Sequence, residues 1–561
     1  MIFQPQSRLV LVPTALLTCA SACGSDSGSR ADTAAESGVP TTTTLGDGDG
    51  TSGDGDPSGD GDPSGDGDPS GDGDPSGDGD PSGDGDPTGG PKFDLEPLPD
   101  GGELPGQFGI PTTCAQAADG GSSVGCQFYG LDLDNLAAGE TEQYGIIVSN
   151  VQMDEVANAY VETKQNGAWV TIAGPQAIQP LDSYSFFLPD NHQEGSGIKV
   201  GGTYRVTADV PVAAYQFNPI NGQVSYTTDA SLLYPVATWT NLHQVVGYPV
   251  TINYGSYVVV MASVDGTQVE VTPGQSATAA GAGVPAGSPG VPFVINLDQG
   301  DVAQIATEGN GASMTGTTVN SDEDHPIGIF SGTECTNTGA GACDHMEEML
   351  TGLQLWGTEF VASRMPVRTV NSPEATIWQI YASEDNTVIN LDVGPGVTGV
   401  PAGPLMLNKG QVSQFQATGS PATPGDFRVI ADKPITVMSY MAGISSGEGD
   451  PCMVQMSPVE QYLPLYVLLV PPTWINDYLV VTRLAGAPVE LDGVPIADAQ
   501  FIPVGNGGEY EVARILTPDG VHVVDGLGSP VSATVVGFDS YDSYAYLGGV
   551  GTSVINPNPQ G

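Results

Sequence analysis

One serine occupies a motif that many hydrolases use. Ser445 is the central residue of G-I-S-S-G at positions 443–447, which matches the pattern G-x-S-x-G. In a nucleophile elbow this serine sits on a sharp turn between a strand and a helix, and a later histidine can serve as its base. His522 does come later, but it lies in the β-branched run V-H-V-V, and the residues G-E-G-D-P that follow the motif disfavour a helix. We therefore expect a loop serine and a strand histidine, and a protein that is not an enzyme.

Carboxylates near a histidine, or two residues apart, raise the question of metal binding. His345 lies in the run D-H-M-E-E at 344–348, which lacks the H-E-x-x-H spacing that places two imidazoles on one helix face. We expect an exposed, solvated segment there. Asp132 and Asp134 would share one face of a strand and could hold calcium between modules, but outward-facing polar residues show the same pattern and are favoured. The sequence assigns no metal site and no cofactor, and it leaves calcium open.

Five of the seven cysteines lie beyond the first 23 residues. Their spacing suggests two small disulfide loops, Cys114 with Cys126 and Cys335 with Cys343, and it leaves Cys452 without a partner. Such pairs form in an oxidising compartment, which agrees with export. A zinc site is disfavoured because no pair has the C-x2-C spacing of a zinc knuckle.

The N-terminal residues predict export. Arg8 precedes a short apolar run, and the small residues that follow lead into Cys23 and Gly24, as in a bacterial lipobox. We predict a signal peptide over 1–22 and lipidation of Cys23; a second register ending at Cys19, or secretion without a lipid, remain alternatives. No other stretch has the roughly 18 to 20 apolar residues that a membrane span needs, so the lipid would be the only anchor.

A repetitive acidic segment follows. From Gly53 the hexad G-D-G-D-P-S occurs six times in succession, with threonine as the last residue of the sixth copy. Such a segment has no apolar side chains to bury, glycine raises the entropy cost of ordering, and each proline removes a backbone donor. We predict that residues 23–91 form a disordered linker that charge repulsion extends. Specific calcium binding by the aspartates is the less favoured alternative, because no hexad supplies the bidentate glutamate of an EF-hand loop.

The charge of the chain excludes some partners. Lys and Arg total 13 against 66 Asp and Glu, which gives a formal net charge of −53. Nucleic acid and anionic membrane surfaces require a basic surface, so neither is an expected partner. The charge favours solubility instead.

Residues 92–561 predict antiparallel β structure in four copies. Each copy has a strand entered through a proline, at Pro211, Pro326, Pro434 and Pro530. The dipeptides D-G at 265–266 and D-N at 385–386 predict hairpins, and the segments that join the copies suggest a short helical turn around 346–350. The predicted fold is all-β, as tandem sandwich-like modules of immunoglobulin size, with a β-propeller as the alternative.

Several motifs together resemble one family. They are PIGIFSGTECTN, CDHMEEML, WGTEFVASRMPVR, IWQIYASEDNTVINL, DKPITVMSYMAG, GDPCMVQMSPVEQYL and GFDSYDSYAYLGG. In this order they resemble the IgGFc-binding protein N-terminal domain family over roughly 127–549, and the lipoprotein-like N-terminus resembles its bacterial subset. The family is named for a mucus protein that binds the Fc part of immunoglobulin G. The resemblance implies a binding scaffold without catalytic residues, but it does not imply immunoglobulin as the ligand of this chain. Because the chain lacks the cysteine-dense von Willebrand type D assemblies of that protein, it does not imply covalent polymerisation either.

The favoured function is a binding or adhesion ectodomain at the cell surface, carried by an outer-membrane lipoprotein. Its expected partner is an extracellular protein or glycan, with no nucleic acid and with membrane contact only through the lipid. A calcium-bridged surface coat and, last, a secreted serine hydrolase remain alternatives. Three tyrosines near the C-terminal end could form a contact surface or pack in the core: Tyr541, Tyr544 and Tyr546.

Overall fold

The computed structural model describes residues 109–220, 225–252, 254–307, 309–339, 343–369, 371–445 and 447–560. The predicted signal peptide, the lipidation site at Cys23 and the acidic linker 23–91 lie outside the described residues, so these stay predictions. Among the described residues, no helix has the length and apolar character that a membrane span requires.

The first module begins with a short helix and contains eight strands. The helix α1 (Cys114–Ala118) is capped by Thr113, whose hydroxyl accepts a hydrogen bond from the Gln116 N–H. The strands are β1 (Gly125–Gly130), β2 (Gly145–Ser149), β3 (Ala157–Gln165), β4 (Ala168–Ile178), β5 (Ser183–Phe187), β6 (Gly197–Lys199), β7 (Tyr204–Asn218) and β8 (Asp229–Leu232).

Modules 2 and 3 follow the same order of strands. Module 2 contains β9 (Leu242–Gln244), β10 (Ser256–Ala262), β11 (Thr267–Thr272), β12 (Phe293–Leu297), β13 (Val302–Thr307), β14 (Thr318–Asn320), β15 (Ile327–Thr336) and β16 (Asp344–Leu350). Module 3 contains β17 (Gly357–Ala362), β18 (Thr376–Ala382), β19 (Thr387–Val393), β20 (Leu405–Leu407), β21 (Val412–Ala417), β22 (Phe427–Tyr440) and β23 (Met453–Gln455).

Module 4 completes the series. Its strands are β24 (Leu465–Val470), β25 (Asn476–Leu484), β26 (Glu490–Leu491), β27 (Val494–Pro495), β28 (Ile502–Pro503), β29 (Tyr510–Leu516), β30 (Gly520–Asp525), β31 (Val531–Asp539) and β32 (Asp542–Leu547). Short 3₁₀ helices lie at Val236–Thr238, Leu353–Leu355, Val459–Gln461 and Asp498–Gln500.

Each module is a sandwich of two antiparallel sheets. In module 1 the outer sheet has the order β4-β3-β7-β1 and the inner sheet the order β5-β2-β7-β8, because β7 passes from one sheet to the other. The same topology recurs as β12-β11-β14-β9 with β13-β10-β15-β16, as β20-β19-β22-β17 with β21-β18-β22-β23, and as β27-β26-β30-β24 with β29-β25-β31-β32. Two short strands extend these inner sheets: β6 of module 1 pairs with β13 of module 2, and β28 pairs with β29 of module 4. The all-β prediction is confirmed, with sandwich modules as the repeating unit.

The proline strands differ from the prediction in two modules. Pro326 and Pro530 directly precede β15 and β31, as expected of a strand entrance. Pro211 and Pro434 instead lie inside β7 and β22. They are tolerated there because these strands change partners at that point, where the pairing of β1 with β7 and of β17 with β22 is irregular. A missing N–H therefore costs no ladder hydrogen bond.

The predicted hairpins are not hairpins. Gly266 and Asn386 do adopt positive φ, at 75° and 56°, so the tight turns form as expected. However, β10 pairs with β13 and β15, whereas β11 pairs with β12 and β14. The turn therefore carries the chain from the inner sheet to the outer sheet. Alternation of side chains shows which face of a strand is buried, but it does not identify the strand beside it.

The four modules form a closed ring around one axis. The last strand of each inner sheet lies at the edge of that sheet. These four edge strands contact one another in a closed circuit, because β8 and β23 each contact both β16 and β32. The first and last modules also join directly, because the Ser123 N–H donates to the Val550 carbonyl at 2.9 Å. Burial follows this arrangement. Every residue of β10, β16, β18 and β32 is buried, since these central and axis-side strands of the inner sheets are covered on both faces. The outer strand β11 alternates buried and more exposed residues, and the inner-sheet strands β5 and β21, at the edge away from the axis, are partly exposed.

Two cysteine pairs lie at bonding distance, and they are the two suggested by spacing. Cys114 and Cys126 join α1 to β1, and Cys335 and Cys343 join the end of β15 to the residue before β16. Cys452 is buried as a free thiol.

Candidate functional site

The serine and histidine of the hydrolase motif lie in separate structural settings. Ser445 is exposed in the loop between β22 and β23, and the chain that follows continues into a strand, so the strand–turn–helix of an elbow does not form. His522 lies in β30, where Nδ1 contacts Asp492 Oδ2 and Nε2 contacts the Pro518 carbonyl, both at 2.7 Å. Both ring nitrogens therefore face hydrogen-bond acceptors, and neither faces a serine hydroxyl.

The run 344–348 is buried, which corrects the expectation of an exposed joint and of a helical turn around 346–350. It forms most of β16, and His345 and Glu347 are both fully buried. The physical reason is the ring: this strand is the edge of the inner sheet and lies against the corresponding strands of its neighbours. Burial lowers the pKa of His345 to about 3. The 3₁₀ turn comes later, at Leu353–Leu355.

Asp132 and Asp134 hold a loop at the junction of modules 1 and 2. Asp132 Oδ2 accepts the Asn191 N–H at 2.7 Å, and Asp134 Oδ2 accepts the Gly195 N–H at 2.8 Å. Gln304 of module 2 also donates to Asp134, at 2.6 Å. The favoured interpretation, outward-facing polar residues, is wrong for Asp134, which is buried. Burial raises the pKa of each carboxyl to about 7.

The loop that these aspartates hold carries a histidine surrounded by carboxylates. His192 Nδ1 contacts Asp190 Oδ1 at 2.7 Å, and its Nε2 lies 3.9 Å from both Glu140 Oε2 and Glu194 Oε2. The nearest ligand atoms of Glu140, His192 and Glu194 all lie within 4.8 Å of one another, and a second such group joins Asp132, Asp190 and His192. Sequence reasoning missed this cluster, because its members come from two distant segments and match no metal motif.

The cluster has the donor set of a divalent-cation site, but its contacts also have a simpler explanation. Burial lowers the pKa of His192, yet the hydrogen bond and charge of Asp190 and the charge of Glu140 outweigh that effect and raise it. In its protonated form, His192 would offset part of the negative charge of the carboxylates around it. Asp190 and Glu194 are largely exposed, so water also screens them.

His243 provides a pH-dependent test of the fold. It is buried in β9, and Nε2 lies 3.2 Å from the carbonyls of Thr240 and Ile327. Burial lowers its pKa to about 4. Tyr234 is the other titratable side chain lining the same small cavity. The unfolded chain therefore takes up this proton near pH 6.5 and the folded chain only near pH 4, so the stabilisation is lost as the pH falls through that range.

Between pH 7 and pH 4, the free energy of unfolding of the wild type should fall by about 3 kcal/mol more than that of His243→Gln, because glutamine does not titrate. Urea unfolding at intervals across that range measures the difference. A difference that stays constant across the range would contradict the lowered pKa, because it would show that His243 takes up its proton at the same pH in the folded and the unfolded chain.

Two surface grooves lie where modules meet. The larger, of about 400 Å³, is lined by residues from 110–112 and 151–155 of module 1 and by Leu465 of module 4. The smaller, of about 170 Å³, lies between segments 394–397 and 422–426 of module 3 and segment 502–505 of module 4. Of the three C-terminal tyrosines, Tyr544 and Tyr546 are buried and only Tyr541 is exposed. They therefore belong mainly to the core.

The repeated sandwich matches a known family. The family model described as IgGFc binding protein matches residues 229–537, from β8 to near the end of β31 and more than half of the chain. No curated protein and no solved structure matches. Most of module 1 precedes the matched residues, yet it has the topology of the other three. Members of this family are extracellular binding domains. The chain belongs to the IgGFc-binding protein family.

Proposed function

We propose that the chain is a lipoprotein of a bacterial-type cell envelope that binds an extracellular protein or glycan without catalysing a reaction. Cys23 would carry the lipid, the linker 23–91 would hold the ectodomain 92–561 away from the membrane, and the protein would be exposed at the surface of the outer membrane. The observation that carries the proposal is the family match through modules 2 to 4.

The ring supports a binding role in a physical way. Neighbouring modules are joined by buried hydrogen bonds, such as Gln216 Nε2 to Glu347 Oε1 at 3.0 Å and the Tyr215 hydroxyl to the Gly548 carbonyl at 3.0 Å. These bonds hold modules at a fixed spacing, so a ligand that spans two modules would lose little free energy to ordering them. The Fc part of immunoglobulin G appears in the family's name and is the first ligand to test.

Ligand binding can be tested with the full chain on an array of immunoglobulin Fc, mucins and polysaccharides. We expect saturable binding to at least one component. The matched control is a peptide of residues 24–91, which has the acidic linker but no module, so that binding driven by charge alone is recognised. If no component bound the chain more strongly than the peptide, the binding proposal would fail. Protease treatment of intact cells, with loss of the ectodomain as the expected result, tests surface exposure.

A calcium-bridged coat is the second candidate, favoured by the excess of 66 acidic over 13 basic residues. It predicts that calcium causes self-association of the full chain, which light scattering detects. A chain that remains monomeric in calcium would exclude this role.

A further inference from the structure

The ring brings equivalent residues of the four modules to the same level of its axis. In each module, the residue four positions after the strand proline identified above pairs with one residue of the edge strand of the inner sheet. The edge strands are β8, β16, β23 and β32. These four partners, which define one level, are Leu232, Met349, Gln455 and Leu547. Residues that precede these four partners by the same number of positions in the chain therefore also occupy equivalent places in the four modules.

The residues two positions before the four partners donate their backbone N–H groups to one carboxylate, that of Asp229. Asp229 accepts hydrogen bonds from the N–H groups of Ala230 at 2.9 Å, Glu347 at 3.1 Å and Met453 at 3.2 Å, and also from Ala545. Asp229 is fully buried. Its carboxylate thus lies on the axis and has its hydrogen bonds satisfied by one donor from each module.

Five positions before the same four partners, every module has a side chain that carries oxygen. The four residues are Thr227, Asp344, Asp450 and Asp542, and each is at most 3% exposed. Asp542 Oδ1 accepts the Thr228 N–H at 3.3 Å. By contrast, both carboxylate oxygens of Asp344, both of Asp450 and the hydroxyl oxygen of Thr227 are buried without a hydrogen-bond partner.

Several carboxyl groups are therefore crowded in the buried interior. The carboxyls of Asp344 and Asp450 contact each other, and burial together with the surrounding carboxylates raises the pKa of each well above its usual range. Arg368 is the cation whose charge acts on Asp450, but its guanidinium donates to the carbonyls of Ala442 and Glu448 instead. An unpaired carboxylate inside a protein is strongly unfavourable, so this arrangement needs a bound cation or bound protons.

We propose that Asp344 and Asp450, with Thr227 at an equivalent position of module 1, form a buried calcium site on the axis of the ring. Calcium binds six to eight oxygens in flexible geometry and accepts bidentate carboxylates, which suits oxygens supplied by three modules. Magnesium demands near-ideal octahedral geometry, which side chains from separate modules suit less well. The ion would neutralise the carboxylates and tie the modules together.

The experiment uses the full chain, treated with EDTA and then with roughly 1 mM calcium chloride. After calcium treatment and gel filtration in calcium-free buffer, elemental analysis should find about one tightly bound ion per chain. Calcium at a hundred times its Kd should raise the Tm of the ectodomain by about 3 °C. The acidic linker can bind calcium only loosely, so gel filtration removes that fraction.

The variants Asp344→Asn and Asp450→Asn should lose both the bound ion and the rise in Tm, while Asp519→Asn, which changes an exposed carboxylate, should keep both. In EDTA the two axial variants should be at least as stable as the wild type, because the change removes buried charge. Thr227→Val, which removes one unpartnered oxygen and keeps the side-chain shape, provides a milder axial variant if either of them fails to fold. Two results would overturn the site: a wild type without bound calcium whose Tm is the same in EDTA and calcium, or axial variants that keep the ion and the rise. The first would show that protons neutralise the carboxylates.

Discussion

Replacing Arg364 by alanine should lower the free energy of unfolding by about 3–5 kcal/mol. Arg364 is buried, and its Nη2 lies 2.8 Å from Glu374 Oε1. Nη1 also donates to the carbonyls of Glu374 and Pro424, at 2.8 and 3.0 Å. Removing the guanidinium takes one charged donor from the Glu374 carboxylate, which keeps the backbone donors of Arg368 and Thr369, and it leaves the two buried carbonyls short of a donor. The loss of all these contacts exceeds the value of the ion pair alone. Urea unfolding, followed at its first transition, measures the effect.

Arg205→Ala is the matched control for this change. Arg205 forms a comparable pair with Glu162 at 2.7 Å, but both side chains are partly open to solvent. Water can replace the lost partner there, so we expect a cost of about 1 kcal/mol, including the loss of its stacking on Trp169. Equal costs at the two positions would contradict the argument, since burial is the main difference between them.

Replacing Trp378 by alanine should cost about 3–5 kcal/mol. Trp378 is fully buried in β18, at the centre of the inner sheet of module 3, and its ring packs edge-on against Phe427 with a centroid separation of 5.3 Å. The truncation would leave a large cavity, because close-packed neighbours relax only in part. The loss of near-ultraviolet circular dichroism on heating, together with urea unfolding, measures the change.

Trp378→Phe separates packing from hydrogen bonding at the same position. The indole Nε1 of Trp378 is buried without a hydrogen-bond partner, so phenylalanine removes an unsatisfied donor and keeps an aromatic ring. We expect a cost below about 2 kcal/mol. A cost as large as that of alanine would show that the indole makes a polar contact that the structure does not contain.

The Arg364 site illustrates how the ring ties modules together. The Arg364 carbonyl and Asp426 both accept hydrogen bonds from Arg514 of module 4, so the buried ion pair of module 3 lies beside a module junction. Destabilising one module in this way should also loosen its neighbour. A ligand surface that spans modules would then depend on residues that never touch the ligand.

Sequence alone determined the type of structure and its repetition. β-Branched residues, turn dipeptides and the four prolines identify strands and copies, because these are local preferences of the backbone. The motifs around the later copies indicate the family, which the match over 229–537 confirms. Of the candidate residues, the loop position of Ser445 and the strand position of His522 also follow from their immediate neighbours.

Only the tertiary structure decided which strands pair and which polar residues meet. Asp265-Gly266 makes the expected turn, yet the strands on its two sides join different sheets, because pairing depends on partners far along the chain. The run 344–348 consists mostly of polar residues, which predicts exposure, but closure of the ring buries it. Asp229, Asp344, Asp450 and Asp542 lie about a hundred residues apart in succession and meet on the axis only because the four modules close on one another.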